Sequence, residues 1–276
     1  MTYSPIGDEI IEILPTMLKT FDTVDMKVAE AEFFLQKMAA VNQDVFEVQC
    51  YFSAFLAAIR TITLALQQFA DLPGFEAYYA PHRDALKNSG LAQFFLNTRN
   101  DHLHGGSHPI RGGSFASGKA TYHFADYDQY VGRDIGKDDV VARSRDFFVM
   151  LLRIVYDCYV VLGPHVDPQQ YYTREHFASL GKTVEEAECE IYGWICSTRI
   201  GEGYTIDDRW HHLRADAGCC LINHLFHAYL GKTTPTPIEP EHYRDFAFTD
   251  QEKGWVHIPA GFSSAEEWID HLKRGN

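Results

Sequence analysis

The chain has 276 residues, of which 46% are hydrophobic, 14% aromatic and 22% charged. That is the make-up of a globular protein of one large or two modest domains, and it excludes disordered and low-complexity classes. A net charge of −14, from 38 acidic against 24 basic residues, excludes a broad basic surface for tracking nucleic-acid backbones and leaves only a local patch for a short or structured RNA.

No run of 18 apolar residues is found, so no membrane-spanning helix is expected. The start, Met1-Thr2-Tyr3-Ser4-Pro5 followed by Asp8, Glu9 and Glu12, lacks the basic region of a signal peptide, and a cytoplasmic location is expected. Six cysteines, Cys50, Cys158, Cys189, Cys196, Cys219 and Cys220, contain no C-x-x-C pair and are read as reduced thiols.

Helical periodicity dominates the first 165 residues. Val28, Ala31, Leu35 and Met38 mark a first helix. Val45, Val48, Phe52, Phe55, Ile59, Ile62, Leu66 and Phe69 then alternate three- and four-residue steps, which predicts a long amphipathic helix capped by Asp44 or Asn42 and stopped by Asp71-Leu72-Pro73-Gly74. A third helical region runs from Phe75 to about His104 with a break near Asn88-Ser89-Gly90. A fourth, 138–162, is nearly all apolar in its second half, and Gly163-Pro164 ends it.

A long connection, 105–137, separates the third and fourth regions, and its alternating Ala120-Thr121-Tyr122-His123-Phe124 predicts a short strand. A connection of that length in a bundle is more often functional than neutral. Beyond a boundary near His165, Thr183-Val184-Glu185-Glu186 is a capping box, Trp210 to Leu221 predicts one helix over 207–230, and Ser264-Ala265-Glu266-Glu267 caps a last one. The fold expected is mainly α: a bundle over 1–165 and a mostly helical extension over 166–276.

The chemistry concentrates at the end of the third region, Thr98-Arg99-Asn100-Asp101-His102-Leu103-His104-Gly105. On a helix Asn100 and His104 share a face, and the long Arg99 side chain reaches the same edge. Arginine forks onto two phosphate oxygens and histidine titrates near neutral pH, so the three suit a phosphate site. Capping of the helix end and balance of its dipole is the plainer role for the same residues.

Arg99-Asn100-x-x-x-His104 resembles the Arg-x4–6-His motif of the HEPN superfamily, and residues 25–165 resemble its four-helix bundle. The insert at 105–137 departs from the minimal pattern. The resemblance implies a metal-independent endoribonuclease of a toxin or antiviral defence setting, working as a homodimer without a cofactor. An antitoxin or nucleotidyltransferase partner belongs to the same implication. His104 would be the acid/base for attack by the ribose 2′-hydroxyl, Arg99 would hold the scissile phosphate, and Asn100 would orient the histidine or the phosphate.

The insert adds Arg111, Lys119, His123 and Arg133 among Phe115, Tyr122, Phe124, Tyr127 and Tyr130, a mixture that suits single-stranded RNA and equally an ordinary loop with aromatic anchors. Two other readings compete with RNA cleavage. One is a non-catalytic HEPN-like module that binds a nucleotide or a protein. The other is a metal-binding helical protein using His211, His212, His224 and His227 on one helix, or His102, His104 and His108. Arg60, inside the long apolar helix, either pairs with an acid or faces the site. No Rossmann, P-loop, nucleophile-elbow or zincin motif occurs.

Overall fold

The computed structural model describes residues 21–103, 108–125, 139–193, 195, 205–217 and 220–235. They are mainly helical, with eleven α-helices and one two-stranded sheet among the described residues. Two compact units emerge: one runs to Tyr171 and takes in 220–235, and the other holds 172–217. The boundary expected at 165 therefore falls later, and part of the predicted extension belongs to the first unit.

In the first unit, α1 (Asp22–Ala40) and α2 (Val45–Leu66) bury the stripes read from the sequence, Val28, Ala31, Leu35 and Met38 on one and Val48, Phe52, Phe55, Ile59, Ile62 and Leu66 on the other. The Asp44 carboxylate accepts the Glu47 N–H at 2.9 Å and starts α2; a 3-10 turn, Gln67–Phe69, ends it. Taken with that turn, Val45–Phe69 is long and apolar enough to cross a membrane. This corrects the exclusion drawn from the sequence, since spaced polar residues such as Gln49 and Arg60 interrupt the run without lowering its mean hydropathy enough. In the bundle, the apolar stripe of this helix is buried.

Gly74, with φ 86°, leads into α3 (Phe75–Asn88), a left-handed backbone that glycine adopts without strain. Ser89 is extended and its hydroxyl accepts the Ala92 N–H at 3.2 Å, which separates α3 from α4 (Gly90–Leu103) at the predicted break. The insert contains an antiparallel hairpin, β1 (Ile110–Ala116) and β2 (Lys119–Phe124), with Ala116 opposite Lys119. Ser117 and Gly118 both have positive φ, 52° and 79°, the two-residue turn whose twist matches paired strands. Phe124 anchors the hairpin, with its ring 4.8 Å from Phe94 and 5.4 Å from Phe52. Asp139 caps α5 (Val140–Val161) by accepting the Ala142 N–H at 3.0 Å and also accepts the Tyr122 N–H at 3.3 Å, so the hairpin is fastened to the start of that helix.

Short helices α6 (Gly163–Val166) and α7 (Pro168–Tyr171) follow. The second unit comprises α8 (Arg174–Ser179), α9 (Val184–Tyr192) and α10 (Ile206–Ala217). The capping box at Thr183 and Glu186 is formed. Phe177, Val184, Ala187, Trp210 and Leu213 are buried there, with Phe177 5.3 Å from the Trp210 ring. The helix expected from Ser264 lies outside the described residues.

The single helix expected over 207–230 is instead two, because α11 (Asn223–Leu230) is separated from α10 and belongs to the first unit. Ile222, Leu225 and Phe226 join the bundle core. Much of the apolar surface of α5 is covered inside the chain: Phe148, Leu151, Leu152, Val155 and Tyr159 are buried, and α5 packs on α1, α3, α4 and α11, while Val160 and Val161 are exposed.

Asp25 ties this arrangement together. Its carboxylate accepts the Tyr159 hydroxyl at 2.9 Å and the Leu221 N–H at 2.9 Å, and it is 2% exposed. Burial pushes its pKa from 3.8 to about 6, against the lowering effect of those two hydrogen bonds. A carboxyl raised on folding favours the native state fully below about pH 3.8, and that contribution is lost as pH rises through about 6. Between pH 4.5 and 7.5 the loss is on the order of 2 kcal/mol. Asp25→Asn should flatten that part of the stability–pH curve in urea unfolding, and an unchanged slope would count against this origin.

Candidate functional site

Two helix faces build the site. On α2 and the 3-10 turn that ends it, Leu56, Arg60, Thr63 and Gln67 recur at three- and four-residue spacing, and on α4 so do Ala92, Leu96 and Arg99. These faces line a cavity of about 400 Å³ that reaches between α2, α3, α4 and α5. A smaller cleft of about 190 Å³ is lined by Ser53, Ala57, Arg60, Thr61, Leu64 and Arg99. Arg60 and Arg99 are common to both.

Both arginines are half-buried. Arg60 Nη1 donates to Thr63 Oγ1 at 2.7 Å, and Arg99 Nη1 donates to Asn100 Oδ1 at 3.3 Å. The Nε of Arg99 is buried with no hydrogen-bond partner, and neither guanidinium forms an ion pair among the described residues. The cations of α3 differ: Arg83 reaches Glu76 at 2.9 Å and Lys87 reaches Asp84 at 3.8 Å. Two half-buried guanidiniums without a carboxylate leave positive charge unbalanced in a partly desolvated cleft, which favours an external anion.

His108 stands beside this cleft. Its Nδ1 accepts the Ile110 N–H at 3.1 Å, so the neutral ring carries its proton on Nε2. That nitrogen lies 3.2 Å from the Gln49 carbonyl and 3.4 Å from Ser53 Oγ, and Ser53 lines the smaller cleft. Its link to Ser53 puts His108 at one edge of that cleft.

The other expected site residues divide. Arg99 and Asn100 lie together on α4, with the asparagine touching the guanidinium. His104 and Arg133 lie outside the described residues. Arg111 and Lys119 are exposed on the hairpin, and His123 lies 3.2 Å from Ser114 Oγ. None of these three lines either cleft shared by Arg60 and Arg99; Lys119 lines a separate pocket with Asn42, Asp139 and Asp146.

The four histidines read as one helical cluster are separated. His211 and His212 sit on α10, and His224 and His227 on α11, in different units. Among the described residues no group of three or more His, Cys, Asp or Glu is placed to hold one ion. The described cysteines, Cys50, Cys158, Cys189 and Cys220, are free, and burial pushes the thiols of Cys158 and Cys220 up to about 12.

Ser53, Thr63, Gln67, Arg83 and Lys87 line these clefts without having been singled out in the sequence. Their helical spacing from Arg60 or Arg99 is the signal that would have found the α2 members. Comparison with protein-family models, curated proteins and solved structures finds no match for this chain.

Proposed function

We propose that the chain is a metal-independent endoribonuclease whose bundle is of the HEPN type. The observation that carries this reading is the convergence of Arg60 and Arg99 on one cleft with no carboxylate paired to them among the described residues. Arg99, on the motif that resembles the family's, holds the scissile phosphate in a two-oxygen fork, and Asn100 aims its guanidinium. Arg60 adds a second cation as charge builds on the phosphorane. His104 withdraws the 2′-hydroxyl proton, the 2′-oxygen attacks phosphorus, and the bond to the 5′-oxygen breaks with return of a proton to the leaving oxygen. The nucleophile belongs to the RNA itself, so the step asks for positioning and charge stabilisation rather than for a metal-bound water.

Arg111, Lys119, His123 and Arg133 are assigned to flanking nucleotides. The active form in this reading is a cytoplasmic two-fold homodimer, in a toxin or defence setting in which an antitoxin or nucleotidyltransferase controls it. Support for a protein-covered face comes from α2, where Phe46 is 73% exposed and Leu64 is 54% exposed.

The test is incubation of RNA with the dimer fraction from light scattering, in excess chelator. Products should end in 2′,3′-cyclic phosphate and 5′-hydroxyl, and DNA should be inert because it lacks the nucleophile. Binding should weaken with salt at a log–log slope of about −0.7 for each phosphate contacted on a single strand, and so stay shallow. Cleavage that stops in chelator and returns with zinc or manganese, or that cuts DNA equally, would overturn the mechanism.

A further inference from the structure

The larger cavity does more than flank a phosphate. Its inner wall is apolar, formed by Leu56, Ile59, Phe95, Phe147 and Leu151. Phe95 and Phe147 stack there at 4.7 Å with planes 14° apart, which makes one edge of the wall smooth and rigid. At about 400 Å³ the cavity is of the size that takes a small ligand. A pocket with this wall is poorly matched to a bare inorganic anion, because most of its lining is apolar.

The charged residues of the same cavity are Arg60, Arg83, Lys87 and Arg99, and no aspartate or glutamate lines it. In a chain with 38 acidic against 24 basic residues, four bases and no acid run against the composition. Arg83 and Lys87 have carboxylates within reach outside the cavity, whereas Arg60 and Arg99 pair with none among the described residues. The buried, unpartnered Nε of Arg99 is a second and independent sign, since a donor shut away from water calls for an acceptor.

We infer that this cavity binds a small amphipathic anion, with an acyl body on the Leu56–Phe95–Phe147 wall and a carboxylate or phosphate head on Arg60 and Arg99. Both heads are acceptors that an arginine pair can hold, so the head is left to the measurement. The inference does not rest on the ribonuclease reading, because binding is read in the absence of RNA.

Calorimetric titration of the full chain with hexyl, octyl and decyl phosphate, each below its micelle concentration, tests the body. Affinity should rise about 4-fold per methylene, the value for a CH₂ leaving water for an apolar site. Decanoate replaces the head with a carboxylate, decanol removes its charge, and inorganic phosphate removes the body. Decanol and inorganic phosphate should each bind at least 10-fold more weakly than decyl phosphate. A stronger signal for decanoate than for decyl phosphate assigns the head as a carboxylate, and the reverse assigns it as a phosphate. Arg60→Gln and Arg99→Gln should each weaken binding about 10-fold.

Ala92→Phe, on the cavity wall, should abolish binding by filling the space while leaving both arginines in place; thermal unfolding checks that each variant folds. The chain-length series on the unaltered protein keeps the idea falsifiable if the variants do not fold. Affinity independent of chain length, decanol binding as tightly as decyl phosphate, or no binding of any probe at millimolar concentration would overturn it.

Discussion

Arg99→Ala is expected to lower RNA cleavage by about 10²- to 10³-fold, the loss that follows removal of one group stabilising a developing oxyanion. Thermal unfolding should stay cooperative and within about 1 kcal/mol of the parent. The two expectations follow from the same geometry. The Arg99 guanidinium has a single 3.3 Å hydrogen bond to Asn100 and no ion pair among the described residues, so truncation strands no buried carboxylate. Arg99→Lys restores the charge without the planar fork and should recover only part of the activity. Loss of cooperative unfolding in the alanine variant would instead assign Arg99 to capping and packing, and unchanged cleavage would remove it from the site.

Which parts of this molecule could be read in advance depends on where the physical signal lies. α1, α2 and α5 were legible because each buries one stripe in one core, and the three- and four-residue steps record that burial directly. The break between α3 and α4 was legible from Ser89 and Gly90, a cap and a helix breaker in the right order. Strand β2 showed its alternation, with Tyr122 and Phe124 buried, but β1 did not. Of its residues only Ile110 is buried, and Gly112-Gly113-Ser114 hold their place through backbone pairing that leaves no side-chain pattern.

The division of α10 from α11 was hidden for another reason. Trp210 and Leu213 belong to one core, and Ile222, Leu225 and Phe226 to another. A linear pattern records apolar positions without recording which core each one joins. At the site, Arg99 and Asn100 stood out because they sit on a motif, and Arg60 because a cation in an apolar stripe is unusual. Arg83 and Lys87 gave no such signal, since charged residues on a surface helix are ordinary.

Replacement of Arg209 by alanine should be the most destabilising single change in the second unit, by about 3–5 kcal/mol. Arg209 on α10 grips α9 in a fork: Nε donates to Glu188 Oε1 at 2.7 Å and Nη2 to Glu188 Oε2 at 2.6 Å. Nη1 donates to Glu185 Oε1 at 2.7 Å. The Glu188 side chain is 1% exposed, so the alanine variant removes from a buried carboxylate the guanidinium that meets both of its oxygens. The Glu185 contact counts for much less, because that side chain is 42% exposed and water already screens it.

The cost belongs to loss of the fork at a buried carboxylate and not to a large net gain from the pair, and this has its own signature. The double replacement Arg209→Leu with Glu188→Leu should recover most of the loss, since two apolar side chains of moderate size fill the same buried space. Urea unfolding followed by tryptophan fluorescence, to which Trp210, buried one residue from Arg209, contributes, reads both variants. A single-variant loss below about 1 kcal/mol would mean that Glu188 finds another partner or takes up a proton in place of the missing cation. A double variant as unstable as the single one would show that the fork is needed for packing α9 on α10 and not merely for neutralising a buried acid.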